Sequence, residues 1–401
     1  MSQYHQRSNS RGNRSAYQQR GPQRKRFNSR GPRTSTVSHD KYINTETVPN
    51  VQSEYESTHT FKDFKLHPTI INNLEAKGYT SPTAIQDQAI PTILEGRDIV
   101  GLANTGTGKT GAFVLPIIEI LAQAKQKNHT LIITPTRELA EQVNDEFMSF
   151  ARGMRLYSVV CVGGVNMGKQ IREIRRGANI IIGTPGRLKD LANKQILDLS
   201  QINVLVLDEA DQMLDMGFLP DMKEIIGMTP EGRQVLCFSA TMDMRVSGLI
   251  AGIQKDPITI SVLEARTSKH IHQDVVKSGS KEQKLEELVK LLEAEEFEKV
   301  LVFGETKFGV QRLADSLTAR GIASESIHGN KNQSQRRRSL DNFKTDRVRV
   351  LVATDVAARG LDIPNVDLVV NYDQPNDHDT YIHRIGRTGR AGKGGHARTF
   401  I

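Results

Sequence analysis

From about residue 60 onward the chain alternates short, continuous apolar runs with longer amphipathic stretches, and that alternation restricts the fold more than any other feature. The runs DIVGLA, TLIITP, SVVCVGG, NIIIGTP, VLVLDEA and QVLCFSA are rich in β-branched residues, with polar residues mostly at their ends. A strand that is apolar on both faces has to be covered on both faces, as happens where helices flank a parallel sheet. Intervening segments such as ELAEQVNDEFMSFA supply those helices. A polar stretch, VLEARTSKHIHQDVV, interrupts the pattern, which then resumes through KVLVFGETK, SESIHG, VRVLVATD, VDLVVNY and GHARTFI. The expectation is an α/β protein of two domains, residues 59–262 and 273–401, joined by a linker at 263–272. In open α/β sheets of this kind ligands bind beyond the carboxyl ends of the strands.

Residues 1–58 do not share the pattern. Of the 54 lysines and arginines in the 401-residue chain, nine fall within residues 1–33, which contain no acid. The net charge of +8 is therefore a property of the N-terminus. Its Ser-, Gln-, Gly- and Arg-rich composition predicts a disordered basic tail. Tyr4, Tyr17 and Phe27, set between the arginines, suit stacking on bases beside phosphate contacts. Cys161 and Cys237 sit in apolar runs without a CxxC spacing and read as reduced core residues. No run reaches the roughly 18 apolar residues of a membrane span, and the tail shows no apolar signal core. A soluble, cytoplasmic, monomeric protein is expected.

The run VLVL at residues 204–207 leads directly into Asp208, Glu209 and Asp211. Buried carboxylates are costly unless paired or bound to a metal, so a cationic ligand is expected at this strand end. Upstream, GLANTGTGKTGAF lies between a candidate strand and a candidate helix. Within it Asn104, Thr105, Gly106, Thr107, Gly108, Lys109 and Thr110 form a candidate phosphate loop. The glycines turn backbone amides toward a phosphate, and the helix N-terminus adds its dipole. Lys109 would reach the outer phosphates, and the Thr110 hydroxyl a Mg²⁺ ion. Ala103 stands where the generic loop has Gly, so the strand–loop–helix context and the acidic strand end carry the assignment. Asp208 is then expected to hold Mg²⁺ through water, because that ion sheds its hydration reluctantly. Glu209 is placed to orient or deprotonate an attacking water, and Asp211 to pair with groups that couple nucleotide state to the rest of the protein. Hydrolysis of a nucleoside triphosphate is the chemistry this predicts.

With Asp208-Glu209-Ala210-Asp211 the chain resembles the DEAD-box RNA helicases of superfamily 2, over about residues 60–401 and with their motifs in order. The resemblance implies two tandem RecA-like domains, with ATP and Mg²⁺ as ligands. GYTSPTAIQ matches the adenine-recognition element, which assigns Gln86 to the edge of adenine. Tyr79 and Thr83 belong to the same element, and Phe61 occupies the position of a stacking aromatic. RNA contact is implied for Pro135, Thr136 and Arg137, for Gly163 and Gly164, and for Thr184, Pro185, Gly186 and Arg187. Glycines and hydroxyls bring donors to phosphates there, and the arginines add charge. SAT (Ser239–Thr241) matches an element linking Asp208 and Asp211 to domain closure. In the second domain the resemblance assigns RNA contact to Thr306, Gly329, Gln333, Arg336, Thr354 and Gly360, and the ATP ribose to Asp362. Arg359, His383 and Arg384 would couple the domains, while Arg387 and Arg390 would be arginine fingers on the γ-phosphate. Gly304-Glu305 depart from the family's usual residues. The chain also ends inside an apparent last strand, without the family's usual final helix or a C-terminal RNA-binding extension.

The expected activity is RNA-stimulated ATP hydrolysis coupled to closure of the two domains. Local, non-processive unwinding with little base preference would follow, and protein partners in a ribonucleoprotein are compatible with it. Two alternatives stay open at this stage. A DNA translocase of the same superfamily differs at such a site only by the 2′-hydroxyl that is read. An ATP-gated RNA clamp would use the same residues as an assembly platform.

Overall fold

The computed structural model describes residues 42–43, 55–104, 106–124, 129–262, 271–294, 297–358, 363, 366–389 and 394–401. Thr105, Arg359, Gly360, Asp362 and Arg390 lie outside these described residues, as do Tyr4, Tyr17, Phe27, most of the tail and positions 263–270.

The first half holds β1 (Ile99–Leu102), β2 (His129–Ile133), β3 (Ser158–Cys161), β4 (Ile180–Gly183), β5 (Ile202–Leu207), β6 (Gln234–Ser239) and β7 (Ile258–Ser261). They form one sheet in the order β3-β4-β2-β5-β6-β1-β7. The second half holds β8 (Ile271–Val276), β9 (Val300–Phe303), β10 (Ser324–Ile327), β11 (Val350–Ala353), β12 (Leu368–Asn371) and β13 (Gly395–Phe400). Their order is β10-β11-β9-β12-β13-β8, and the strand pairings within both sheets are parallel. These are the two parallel sheets flanked by helices that the apolar runs require.

Why the runs are continuous is visible strand by strand. β5 sends Val204 and Val206 into one apolar cluster and Leu205 and Leu207 into the other. β9 divides Val300 and Val302 from Leu301 and Phe303 in the same way. Each such side chain, moved from water to the interior, contributes about 1.5–3 kcal/mol. Cys161 and Cys237 are free thiols inside this core, and burial pushes both up to about 12. They are packing residues.

Two strands escaped the pattern. β7 and β8 are edge strands that alternate in exposure instead of being apolar throughout, so they lack the continuous signature. Ile271 and His272, assigned to the linker, begin β8. The tail also reaches less far than its composition suggests: Tyr42 is buried and residues 55–58 approach the first half. Composition averages over such residues and cannot register their individual partners. Among the described residues, no helix is long and apolar enough to cross a membrane.

Candidate active site

β1 runs into buried Ala103, whose amide donates to the Ser239 carbonyl at the end of β6. Thr107 Oγ1 then donates to the Asn104 carbonyl at 2.8 Å and folds the loop back on itself. Gly106 and Gly108 take left-handed φ values of 86° and 91°, and Gly108 caps the helix Lys109–Gln123. The Gln86 carboxamide braces the loop from outside. Its Oε1 accepts from the Thr83 amide at 3.1 Å, and its Nε2 donates to the Gly108 carbonyl at 3.1 Å. One N–H and one lone pair of Gln86 remain for a ligand. A Cβ on Gly108, or on Gly111 one turn later, would come within 2.7 Å of Gln86 Nε2. Gly111 is therefore part of the site, though sequence reasoning passed over it inside the quoted motif.

The carboxylates lie next to this loop. Asp208, Glu209, Asp211 and Lys109 are all buried. Asp211 is satisfied: Oδ1 accepts from the Gln212 amide, and Oδ2 from the amides of Ala240 and Thr241 and from Thr241 Oγ1. Ser239 Oγ accepts from the Thr241 amide as well. Asp208 Oδ1, Glu209 Oε2 and Lys109 Nζ, by contrast, are buried without a hydrogen-bond partner. Glu209 has a φ of 53°, a left-handed turn that costs a non-glycine residue about 1–2 kcal/mol. The turn breaks the alternation of β5, and the field of Lys109 acts on both Asp208 and Glu209. Burial pushes the Glu209 carboxyl up to about 7, against the pull of Lys109 and the weaker pull of Arg387. Burial raises Asp208 too, again opposed by Lys109.

Buried polar groups in native proteins are nearly always partnered, so these three orphaned atoms, two after β5 and one after the phosphate loop, define the ligand that suits them. Phosphate oxygens satisfy the ammonium, and a hydrated divalent cation satisfies the carboxylates. Thr110, half-buried in the first turn of the helix, stands beside them. Among the described residues no three His, Cys, Asp or Glu side chains are grouped to hold a metal by themselves. Mg²⁺ is held by one or two carboxylates and keeps water and substrate oxygens in the rest of its shell, which Asp208 and Thr110 would fit.

The second half supplies basic groups. Arg387 is buried, and its charge is felt at Glu209. It follows the helix His378–Ile385, on which His383 is half-buried. Arg384, expected to couple the domains, instead binds within its own half. Its Nε and Nη2 donate to Asp355 at 2.6 and 2.7 Å, and its Nη1 to the carbonyl of Asp373 at 2.6 Å and to Asn371. The guanidinium also lies over the Phe303 ring. Asp355, the last residue of the run VRVLVATD, was missed because nothing in the sequence marks it as the partner of Arg384.

A cleft of ≈ 370 Å³ is lined by Pro135, Thr136, Arg137, Gly163, Thr184, Gly186 and Arg187 of the first half and by Arg336 and Val356 of the second. Met216 and Phe218 add an apolar wall. Arg137 lies across Gly163 and Gly164; a Cβ on Gly164, itself at φ 74°, would meet Arg137 Nη1 at 2.0 Å. Arg187 donates to Gln170, which donates in turn to the Val162 carbonyl. Thr136, Thr184 and Thr306 each cap a helix, and Pro185 opens the helix that Thr184 caps. Gly329 is exposed just beyond β10, and Thr354 is half-buried just beyond β11. Two residues expected to meet RNA reach across the cleft instead. Arg336 Nε lies 3.0 Å from Glu138 Oε1, an ion pair whose N–H is not aligned for a hydrogen bond, and Gln333 Nε2 donates to Glu141 at 3.3 Å. Glu138 directly follows Arg137 in the sequence but had no role until its partner was known.

Phe61 lies in the apolar cluster with an edge-to-face contact to Phe64, so it is a core ring here and not an open stacking platform. Tyr79 is partly exposed and meets Phe150 edge-on.

A phosphate loop, an acidic strand end and arginines of the second half beyond a shared cleft define a two-domain P-loop nucleotidase. Residues 83–248 match the family described as DEAD/DEAH box helicase, and residues 283–392 match the helicase conserved C-terminal domain. The chain is 42% identical over 344 residues to the DEAD-box ATP-dependent RNA helicase CshA of Bacillus subtilis, covering 86% of this chain and 70% of that protein. Dbp5 of S. cerevisiae bound to RNA and ADP BeF3 superposes with a TM-score of 0.76 at 31% identity, over 85% of this chain and 89% of that one. A variant of the same yeast protein, bound to Nup159, a Gle1 variant, IP6 and ADP, gives 0.59 at 30% identity, over 84% and 88%. The chain belongs to the DEAD-box RNA helicase family.

Proposed function

We propose that the protein hydrolyses ATP in the cleft between its halves, and that RNA bound beside the same cleft sets the rate and is locally unwound. One observation carries this reading: Lys109 Nζ, Asp208 Oδ1 and Glu209 Oε2 are buried and unpartnered under a loop braced by Gln86. Gln86 would read adenine with its free donor and acceptor, and the loop amides with Lys109 would hold the phosphates. Thr110 and Asp208 would hold Mg²⁺, which when bound would neutralise phosphate charge. Glu209 would take the proton of the attacking water. Arg387 would meet the charge that develops on the transferring phosphoryl group, with Arg390 as its expected companion. Asp211, tied to the SAT segment, would pass the state of the site to the second half.

Arg137, Arg187 and the capping Thr136 and Thr184 would hold an RNA backbone, with Thr306, Gly329, Thr354 and Gly360 continuing the track in the second half. The higher similarity to yeast Dbp5 in its RNA- and ADP BeF3-bound form than in its Nup159-, Gle1- and ADP-bound form supports a closed arrangement of the halves. A monomer in the cytoplasm, with protein partners joining through an RNP, fits this mode of action. The test is ATP turnover with single-stranded RNA and with DNA of the same sequence, run beside a short-duplex separation assay. Stimulation by RNA with strand separation is expected. Equal stimulation by DNA would favour the translocase, and stimulation without separation the clamp.

A further inference from the structure

β10 ends at Ile327, and His328, 5% exposed, opens the loop that carries Gly329 to the helix Gln333–Lys344. Its ring is gripped on both edges. The Asn330 amide donates to Nδ1 at 3.3 Å, and Nε2 lies 3.0 Å from Gln311 Oε1. An imidazole nitrogen that accepts carries no proton, so the ring proton sits on Nε2 and is donated to Gln311. The Gln311 amide is itself oriented: its Nε2 donates to Asp315 at 2.7 Å, and its Oε1 also accepts from buried Ser326 at 2.8 Å. The neutral ring therefore ties the loop to the helix Lys307–Ala319, which Thr306 caps.

The tied loop joins two parts of the cleft. Gly329 is exposed at its start, and Asn332 begins the next helix with a capping box. That helix sends Gln333 and Arg336 to Glu141 and Glu138 of the first half. The charged groups that act on the ring come from both helices and from the loop. Burial first, then the charges of Lys331, Arg336 and Lys307, holds its pKa below the usual range. The acids nearby are engaged elsewhere, Asp315 by Gln311 and Glu325 by Asn342, and Lys331 donates to Ser339.

We propose that His328 is a positioning residue for RNA: its neutral ring fixes residues 329–332, so that Gly329 and the helix that crosses to the first half are presented together. A second ring proton would set an N–H against the Asn330 amide and add a fourth positive charge to Lys307, Lys331 and Arg336, which releases the loop. Acid therefore weakens RNA binding through this residue, whereas a histidine that touched phosphate would strengthen it on gaining charge. The RNA consequence rests on the functional reading above; the state of the ring can be measured without RNA.

Long-range ¹H–¹⁵N spectra of the full chain report the protonation and tautomer of each imidazole, and the signal lost in His328→Asn identifies this one. At about pH 7.5 it should be neutral with its proton on Nε2. Affinity for a dye-labelled single-stranded RNA is then read by anisotropy in the presence of a non-hydrolysable ATP analogue. His328→Ala should bind about tenfold more weakly, while kcat at saturating RNA holds. His328→Asn, whose Oδ1 can accept from the Asn330 amide, should recover most of the loss. Taken to the pH at which the spectra show the ring mostly protonated, the parent should weaken by a similar factor and His328→Asn should not. If His328→Ala fails to fold, the parent's titration decides. A ring charged or Nδ1-protonated at neutral pH, a folded His328→Ala with parental affinity, or a parent that binds RNA more tightly once the ring is charged overturns the assignment. A parent that binds no RNA contradicts the functional proposal instead, and leaves the spectra of the ring standing.

Discussion

Glu209 and Asp87 show how two buried carboxylates in one half come to different uses. Glu209 has an unpartnered oxygen and a pKa near 7, whereas every oxygen of Asp87 is engaged. Replacing Glu209 by Gln keeps the shape and removes the base, so kcat should fall by about 10²–10⁴ while ATP binding is retained, measured by turnover and by nucleotide titration. Burial alone would raise the Asp87 carboxyl, but hydrogen bonds from Tyr55, Thr58 and His59 outweigh it and hold it below the usual range. A carboxyl depressed in the folded state adds stability above its unfolded value, and loses that contribution as pH falls through the folded one. Asp87→Asn should therefore lower Tm at neutral pH, with the deficit narrowing below about pH 4. An unchanged deficit at acid pH would mean that the charge of Asp87 is not what holds Tyr55, Thr58 and His59 in place.

At the level of elements, the parallel sheets were legible because strands buried on both faces leave uninterrupted apolar runs, as in β1, β9 and β11. β7 and β8 were not, since polar residues such as Thr259, His272 and Asp274 break them up. The phosphate loop and the acidic strand end could be placed because their meaning depends on position along the chain. The partners of Arg336, Arg384 and Tyr42 could not, because spatial pairing of distant segments leaves no local mark. The Glu138–Arg336 pair, 9% and 12% exposed, joins the first turn of one helix to another in the opposite half. Removing one partner of a largely buried pair costs on the order of 3 kcal/mol. Glu138→Ala should then raise the RNA concentration for half-maximal turnover by up to about a hundredfold, and Glu138→Arg with Arg336→Glu should recover much of the loss. If Arg336 served only to bind phosphate, Glu138→Ala would strengthen RNA binding instead.

For the whole molecule, the proposed function has the two halves share one nucleotide and one RNA strand, so the two ligands would be linked. RNA should tighten ATP binding by the same factor that ATP tightens RNA binding. On that proposal the linkage runs through Arg387, which is buried and within electrostatic reach of Glu209 although it belongs to the other half. The most direct test is steady-state ATP turnover across a titration of single-stranded RNA, for the parent and for Arg387→Ala confirmed as folded. The parent should be stimulated, and the variant should lose about 10³-fold or more of the stimulated rate. Turnover indifferent to RNA, or an Arg387→Ala variant as fast as the parent, would contradict the claim that the second half completes the site.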